Sequence, residues 1–158
     1  MAVQNRQTPV GQAVDKWYQD GLRFECQPGC VLCCCGGPGD VSLSNADIQR
    51  ITAFLGISVV RFKKEYTRTG YRGGVSLIDI PERNYSCMFL GETGCRIYPV
   101  RPAQCRTFPF WPDIIASLSR WDDEKPNCPG VGRGRWYSAD EIDRISSLRG
   151  DTDERAEG

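Results

Sequence analysis

Cysteine in abundance, with no histidine beside it, restricts this chain more than any other feature. Nine of its 158 residues are cysteine and none is histidine. Cys26, Cys30, Cys33, Cys34 and Cys35 form one dense run, while Cys87, Cys95, Cys105 and Cys128 are spread over the second half. The first residues, Met1 to Gln12, are polar and lack the apolar stretch of a signal peptide. Thiols this dense, in a chain without an export signal, point to metal ligation rather than a disulfide scaffold. With no imidazole to call on, the ligands must be mainly thiolate sulfur.

Composition narrows the setting. Twenty basic residues balance twenty acidic ones, so no net field directs the chain toward nucleic acid or an anionic membrane. No run reaches the ~18 apolar residues of a membrane span. The expected setting is cytoplasmic and reducing, with metal ions as the expected partners and a protein partner left open. A Ser/His/Asp triad is excluded by the missing histidine. The glycine-rich stretches match neither a P-loop nor a dinucleotide fingerprint; Gly130 to Gly134 follows a Cys-Pro turn and lacks the Lys and Ser/Thr of a phosphate loop. No carboxylate pair is placed by spacing for acid–base work.

The length fits one domain. Residues 10–20 read as a short helix carrying Val14, Trp17 and Tyr18 and stopped by Gly21. The first cysteine run is closed by Gly36, Gly37, Pro38 and Gly39 and reads as loop. Val41 and Leu43 give a brief strand signal. Ser44 with Asp47 reads as a helix cap, followed by an apolar stripe of Ile48, Ile51, Phe54 and Leu55 that ends at Gly56. Ser58 caps a second helix bearing Val59, Phe62 and Tyr66. Residues 75–80 favour a strand, and CMFL-GETG-CRIY reads as a hairpin with Cys87 and Cys95 facing across the turn. Pro99 and Pro102 break the chain around Arg101, a short helix is expected near 113–119, and Ser138 with Glu141 makes a capping box for a helix through Leu148. The expected fold is α+β: a small single domain of short helices and a small antiparallel hairpin or sheet, organised around a cysteine-ligated metal centre. Its divisions are an N-terminal extension at 1–21, a cysteine-cluster domain at 22–148 and a charged, disordered tail at 149–158.

The chemistry lies in the thiols. Cys26, Cys30, Cys33 and Cys34 repel one another as thiolates, which raises their pKa values until a metal ion or iron–sulfur cluster offsets the charge. Successive side chains on an extended strand point to opposite faces. Cys33 and Cys34 therefore reach two adjacent centres, or share one where the chain turns sharply. Cys87, Cys95, Cys105 and Cys128 bring the ligand count to eight, enough for two four-cysteine sites, and Cys35 is the spare. Arg101 and Arg106 flank the later ligands and are placed to offset thiolate charge and orient sulfur. Phe108, Phe110 and Trp111 read as core that also walls the centre from water. The C-x3-C-x2-C spacing is shared with radical S-adenosylmethionine enzymes, but the chain is short for their barrel and has Leu32 where an aromatic residue is usual. The lone Cys30-x2-Cys33 of a zinc knuckle is a weak signal.

FECQPGCVLCC, CMFL…CRIYPVRPAQCRTFPFWP and CPGVGRGR, in that order, closely resemble the YkgJ-like cysteine-cluster family, the CxxCxxCC zinc- or iron-chelating domain. The resemblance spans roughly residues 22–145. Its pattern falls on Cys26, Cys30, Cys33, Cys34, Cys87, Cys95, Cys105 and Cys128, with Arg101, Pro102 and Arg106 as the non-cysteine signature, and leaves Cys35 out. It implies metal chelation, by zinc or an iron–sulfur cluster. A related segment in flagellin lysine methylases, associated with an iron–sulfur centre, tilts the expectation toward iron by analogy. An iron–sulfur redox enzyme or electron-transfer accessory protein is the alternative.

Overall fold

A computed structural model describes residues 15–150. Among them the elements run β1 (Leu22–Phe24), α1 (Asn45–Leu55), α2 (Val59–Tyr66), β2 (Thr67–Thr69), β3 (Val75–Leu77), β4 (Asp79–Ile80), β5 (Ser86–Cys87), β6 (Leu90–Gly91), β7 (Gly94–Cys95), α3 (Ala103–Thr107), α4 (Leu118–Asp123), β8 (Val131–Tyr137) and α5 (Ala139–Gly150). The class is α+β. The strands are too short to build one sheet and form four separate antiparallel pairs instead: β1 with β8, β2 with β3, β4 with β5 and β6 with β7.

The capping signals act as the sequence implies. Ser44 accepts from the Asp47 amide while the Asp47 carboxylate accepts from the Ser44 amide, and Gly56 closes α1 in the left-handed region at φ 66°. Ser58 caps α2. Ser138 and Glu141 cap α5 reciprocally, at 2.9 and 3.2 Å. Ile48 and Ile51 are buried as the stripe requires, but Phe54 is half exposed.

Other elements differ from expectation. Of the helix expected at 10–20, residues 10–14 lie outside the described part, and Trp17 to Asp20 form a turn with three-residue hydrogen bonds from Gln19 to Lys16 and from Gly21 to Tyr18. The 75–80 strand breaks at Ile78, whose amide donates to Tyr66 and whose carbonyl accepts from Met88. Residues 112–116 are a turn, and the helix expected there starts later, at Leu118, because Ser117 supplies its cap. The 131–137 strand carried no strand signal, since two glycines interrupt it. It pairs with β1 through a shift in register between Arg23 and Phe24.

The core is divided in two. One cluster gathers Tyr18, Phe110, Ile114, Ile115, Trp121, Cys128, Val131 and Ile142, with Leu22 and Phe24 packed against it. It is therefore built from both ends of the described chain. The second gathers Leu43, Ile48, Ile51, Phe62, Leu77, Phe89 and Ile97 from the middle. Cys87 and Cys95 pack against this second cluster. The dense cysteine run and α3 lie where the chain passes between the two.

Candidate metal centre

Three stretches of chain bring their sulfurs to one cavity of about 540 Å³. Cys26, Cys30, Cys33 and Cys34 come from the dense run, Cys87 and Cys95 from β5 and β7, and Cys105 from α3. Val41, Leu77, Ile97, Phe108 and Trp111 supply apolar wall, and Arg101 is the cation in the lining. Phe108 and Trp111 thus face the cavity, while Phe110 is buried in the first cluster. Cys128 is set back from the cavity, buried in that same cluster, and Cys35 does not line it either; its thiol lies 3.6 Å from the Val31 carbonyl. Among the described residues, no three cysteine or carboxylate side chains close around a common point as a single bound ion would require.

Local folding explains how each sulfur arrives. Leu32–Cys34 is a 3-10 turn, not an extended strand, so the vicinal side chains do not diverge fully and the Cys33 and Cys34 sulfurs stand 3.9 Å apart. Cys87 and Cys95 do not face each other across the hairpin as the spacing implied. Leu90 pairs with Cys95, whereas Cys87 pairs with Asp79 on β4. The bond from Met88 to Ile78 and that from Arg96 to Phe89 place the two strand pairs side by side, which brings both cysteines to the cavity by another route. Cys105 is held by a helix that the two prolines permit rather than prevent: Pro102 is its N-cap residue, and the Ala103 amide donates to the buried carboxylate of Asp47 at 3.0 Å.

The thiols shape one another's chemistry. The hydrogen bond shared by the Cys33 and Cys34 sulfurs pulls the Cys33 pKa down to about 6 and pushes the Cys34 thiol far up. Burial pushes Cys105 up to about 12, reinforced by the charges of Cys87, Cys33 and Cys95. Burial also raises Cys26, Cys87, Cys95 and Cys128. The positive charge of Arg101 opposes the rise at Cys26, Cys95 and Cys105 and adds to the fall at Cys33. A bound cation acts in the same sense and more strongly, since it replaces each proton.

The two arginines divide the work. Arg101 lines the cavity, lies 3.8 Å from the centre of the Tyr98 ring and donates from Nε to the Tyr98 carbonyl. Arg106 does not line the cavity; its Nε donates to the Arg101 carbonyl at 3.0 Å, and burial with the nearby Arg50 charge lowers its pKa. No local pattern marks Gln104, which accepts from the Ser42 amide and donates to the Asp40 carbonyl, tying the loop after the cysteine run to α3. A glutamine beside a cysteine looks like surface until the fold brings that loop to it. Tyr98 was legible only in retrospect, through its three-residue spacing from Arg101.

The site is thus a cavity lined by cysteines from separate stretches of a small α+β domain. The chain belongs to the CxxCxxCC family, described as "Putative zinc- or iron-chelating domain", which it matches over residues 25–129. An uncharacterised protein of Methanocaldococcus jannaschii is 30% identical over 99 residues, which cover 59% of this chain and 48% of the relative. The chain thus spans about half the length of that curated relative. No solved structure matches it. Among the described residues no helix is long and apolar enough to cross a membrane.

Proposed function

We propose that this chain is a metal-binding protein whose centre is held by the cavity cysteines with Cys128 behind them, and that the metal is iron in a sulfur-bridged cluster. The observation that carries the metal reading is the convergence of seven cysteines, from three stretches of chain, on one cavity. The donor set fits: thiolate suits both zinc and iron–sulfur centres, and no histidine is needed. Iron–sulfur is preferred to a lone zinc ion because seven cysteines line the cavity, more than the four thiolates that one zinc ion takes.

When bound, such a cluster supplies one-electron redox chemistry or structural cross-linking. The protein's own part is clearer. Arg101 offsets thiolate charge, Phe108 and Trp111 exclude water, and Asp47 and Gln104 hold α3 against the rest of the site. The test is anaerobic purification with iron, zinc and acid-labile sulfide counted in one sample. Iron and sulfide in matching amounts, with absorption in the visible, are expected. Stoichiometric zinc in a colourless protein overturns the iron assignment and keeps the metal site. A protein that takes up neither metal on reconstitution overturns both.

A further inference from the structure

We propose that the surface made by α1, the turn Tyr98–Val100 and α3 docks the acidic patch of a partner protein, with Arg50, Arg101 and Arg106 as its charged contacts and Phe54 and Tyr98 as its apolar ones. The surface itself needs no metal. That its partner serves the cavity rests on the metal-binding reading above.

Charge singles this surface out. The chain has as many acids as bases, yet no aspartate or glutamate falls between Thr93 and Pro112, where Arg101 and Arg106 lie. In α1 the one acid, Asp47, is fully buried, while Arg50 is exposed. Local bonds gather the three arginines around the start of α3. Arg50 pairs with the same Asp47 carboxylate oxygen that accepts from the Ala103 amide. Arg106 lies one turn along α3 from Ala103, and its Nε donates to the Arg101 carbonyl at 3.0 Å. Among the described residues, neither Arg101 nor Arg106 has a carboxylate within salt-bridge reach. The one acid in the cavity lining is Glu92, on the turn between β6 and β7. Cations held together with so little counter-charge favour an incoming surface of carboxylates.

The apolar groups point to protein rather than nucleic acid. α1 packs against the turn Tyr98–Val100. Phe54 follows Arg50 by one helical turn, on the same face of α1, and is half exposed. Tyr98 is 53% exposed, and the Arg101 guanidinium lies 3.8 Å from its ring centre. Protein interfaces favour tyrosine, phenylalanine and arginine and disfavour lysine. Neither α1 nor the stretch from Thr93 to Pro112 contains a lysine. Arginine also gives up its water more readily than lysine, as a buried contact requires. A nucleic-acid surface commonly meets about 6–10 phosphates, more than three guanidiniums can serve.

Position gives the docked partner its role. Tyr98 and Arg101 belong to this surface and also line the thiol cavity. A protein seated on them stands beside the sulfurs, where a metal ion or an electron can pass between the two chains.

The test is fluorescence anisotropy of the holoprotein with a labelled peptide rich in glutamate and interspersed with leucine. Binding that weakens with salt is expected. Arg50→Glu with Arg106→Glu is expected to weaken it at least about tenfold, as reversal of two charged contacts should. Lys63→Glu with Lys64→Glu makes the same change of charge on α2 and is expected to leave binding nearly unchanged. Phe54→Ala, which alters no charge and lies outside the cavity, is expected to weaken binding severalfold and serves if the arginine variant fails to fold. Absence of binding, or equal losses in the two double variants, overturns the surface. Tighter binding of a single-stranded oligonucleotide of matched length, lost in the same variants, overturns the protein assignment. Dimerisation that Arg106→Glu abolishes gives the surface to a second copy instead. The bound peptide is expected to slow metal loss to a chelator; an unchanged rate overturns the partner's role at the cavity. A chain that holds no metal yet binds the peptide through the same arginines keeps the surface and fails the metal-binding reading alone.

Discussion

One guanidinium reaches four of the thiols. Arg101 favours the thiolate form at Cys26, Cys33, Cys95 and Cys105, and Arg106 and Tyr98 fix where it stands. Removing that charge raises all four thiol pKa values, so protons compete better with metal. The effect must be present below the thiol pKa values and fade as pH rises through them. Arg101→Gln is expected to weaken metal affinity about tenfold at neutral pH, the equivalent of one pKa unit at one ligand, and to approach wild type in alkali. A chelator-competition titration at several pH values checks it; equal affinities at neutral pH would show that Arg101 only packs on Tyr98. The seven cysteines that line the cavity were among those the sequence marks as candidate ligands, because thiolate chemistry needs cysteine and the chain offers no substitute. Their supports were not. Gln104 and Asp47 act through partners about sixty positions away, and nothing local marks such a pairing.

At the scale of elements, the join between α1 and α3 positions Cys105 in the cavity wall. The Asp47 side chain is fully buried and accepts from the Ser44 amide and hydroxyl and the Ala103 amide, with Arg50 as its salt-bridge partner. It completes the capping box of one helix and pins the start of another. Asp47→Ala removes the return half of that box and leaves the buried Ala103 amide without an acceptor, which is expected to cost about 2–4 kcal/mol. Urea denaturation measures the loss, and a shift below about 1 kcal/mol would mean water replaces the carboxylate. Helices were readable because their caps are local: Ser44, Ser58 and Ser138 each announce a start. Strands were not, since pairs of two or three residues carry no alternation to detect. Only pairing with β1 makes a strand of Val131–Tyr137, and only the neighbouring β4–β5 pair explains where Cys87 points. The α+β class could be inferred from capped helices and short apolar runs; the four separate strand pairs could not.

The molecule as a whole is two small cores with a thiol-lined cavity between them. Trp17, Trp111 and Trp121 all belong to or pack against the first core, and the second contains no tryptophan. On the proposed metal reading, a centre in the cavity between them couples the two cores, so holoprotein is expected to melt in one transition by tryptophan fluorescence and by far-ultraviolet circular dichroism. After chelation the two probes should separate, with both midpoints lowered, as two-state behaviour fails. Coincident transitions in the metal-free protein would show that side-chain packing alone joins the cores. The route of the chain has one more consequence, in time rather than space. Every residue of the second core, and every cysteine that lines the cavity, has been made before the ribosome reaches Cys128. The first core needs β8, whose Tyr137 pairs with Leu22 across almost the whole described chain. The second core can therefore form on the nascent polypeptide, while the first core, with Cys128 in it, must wait until the last strand is synthesised and the two ends of the described chain meet.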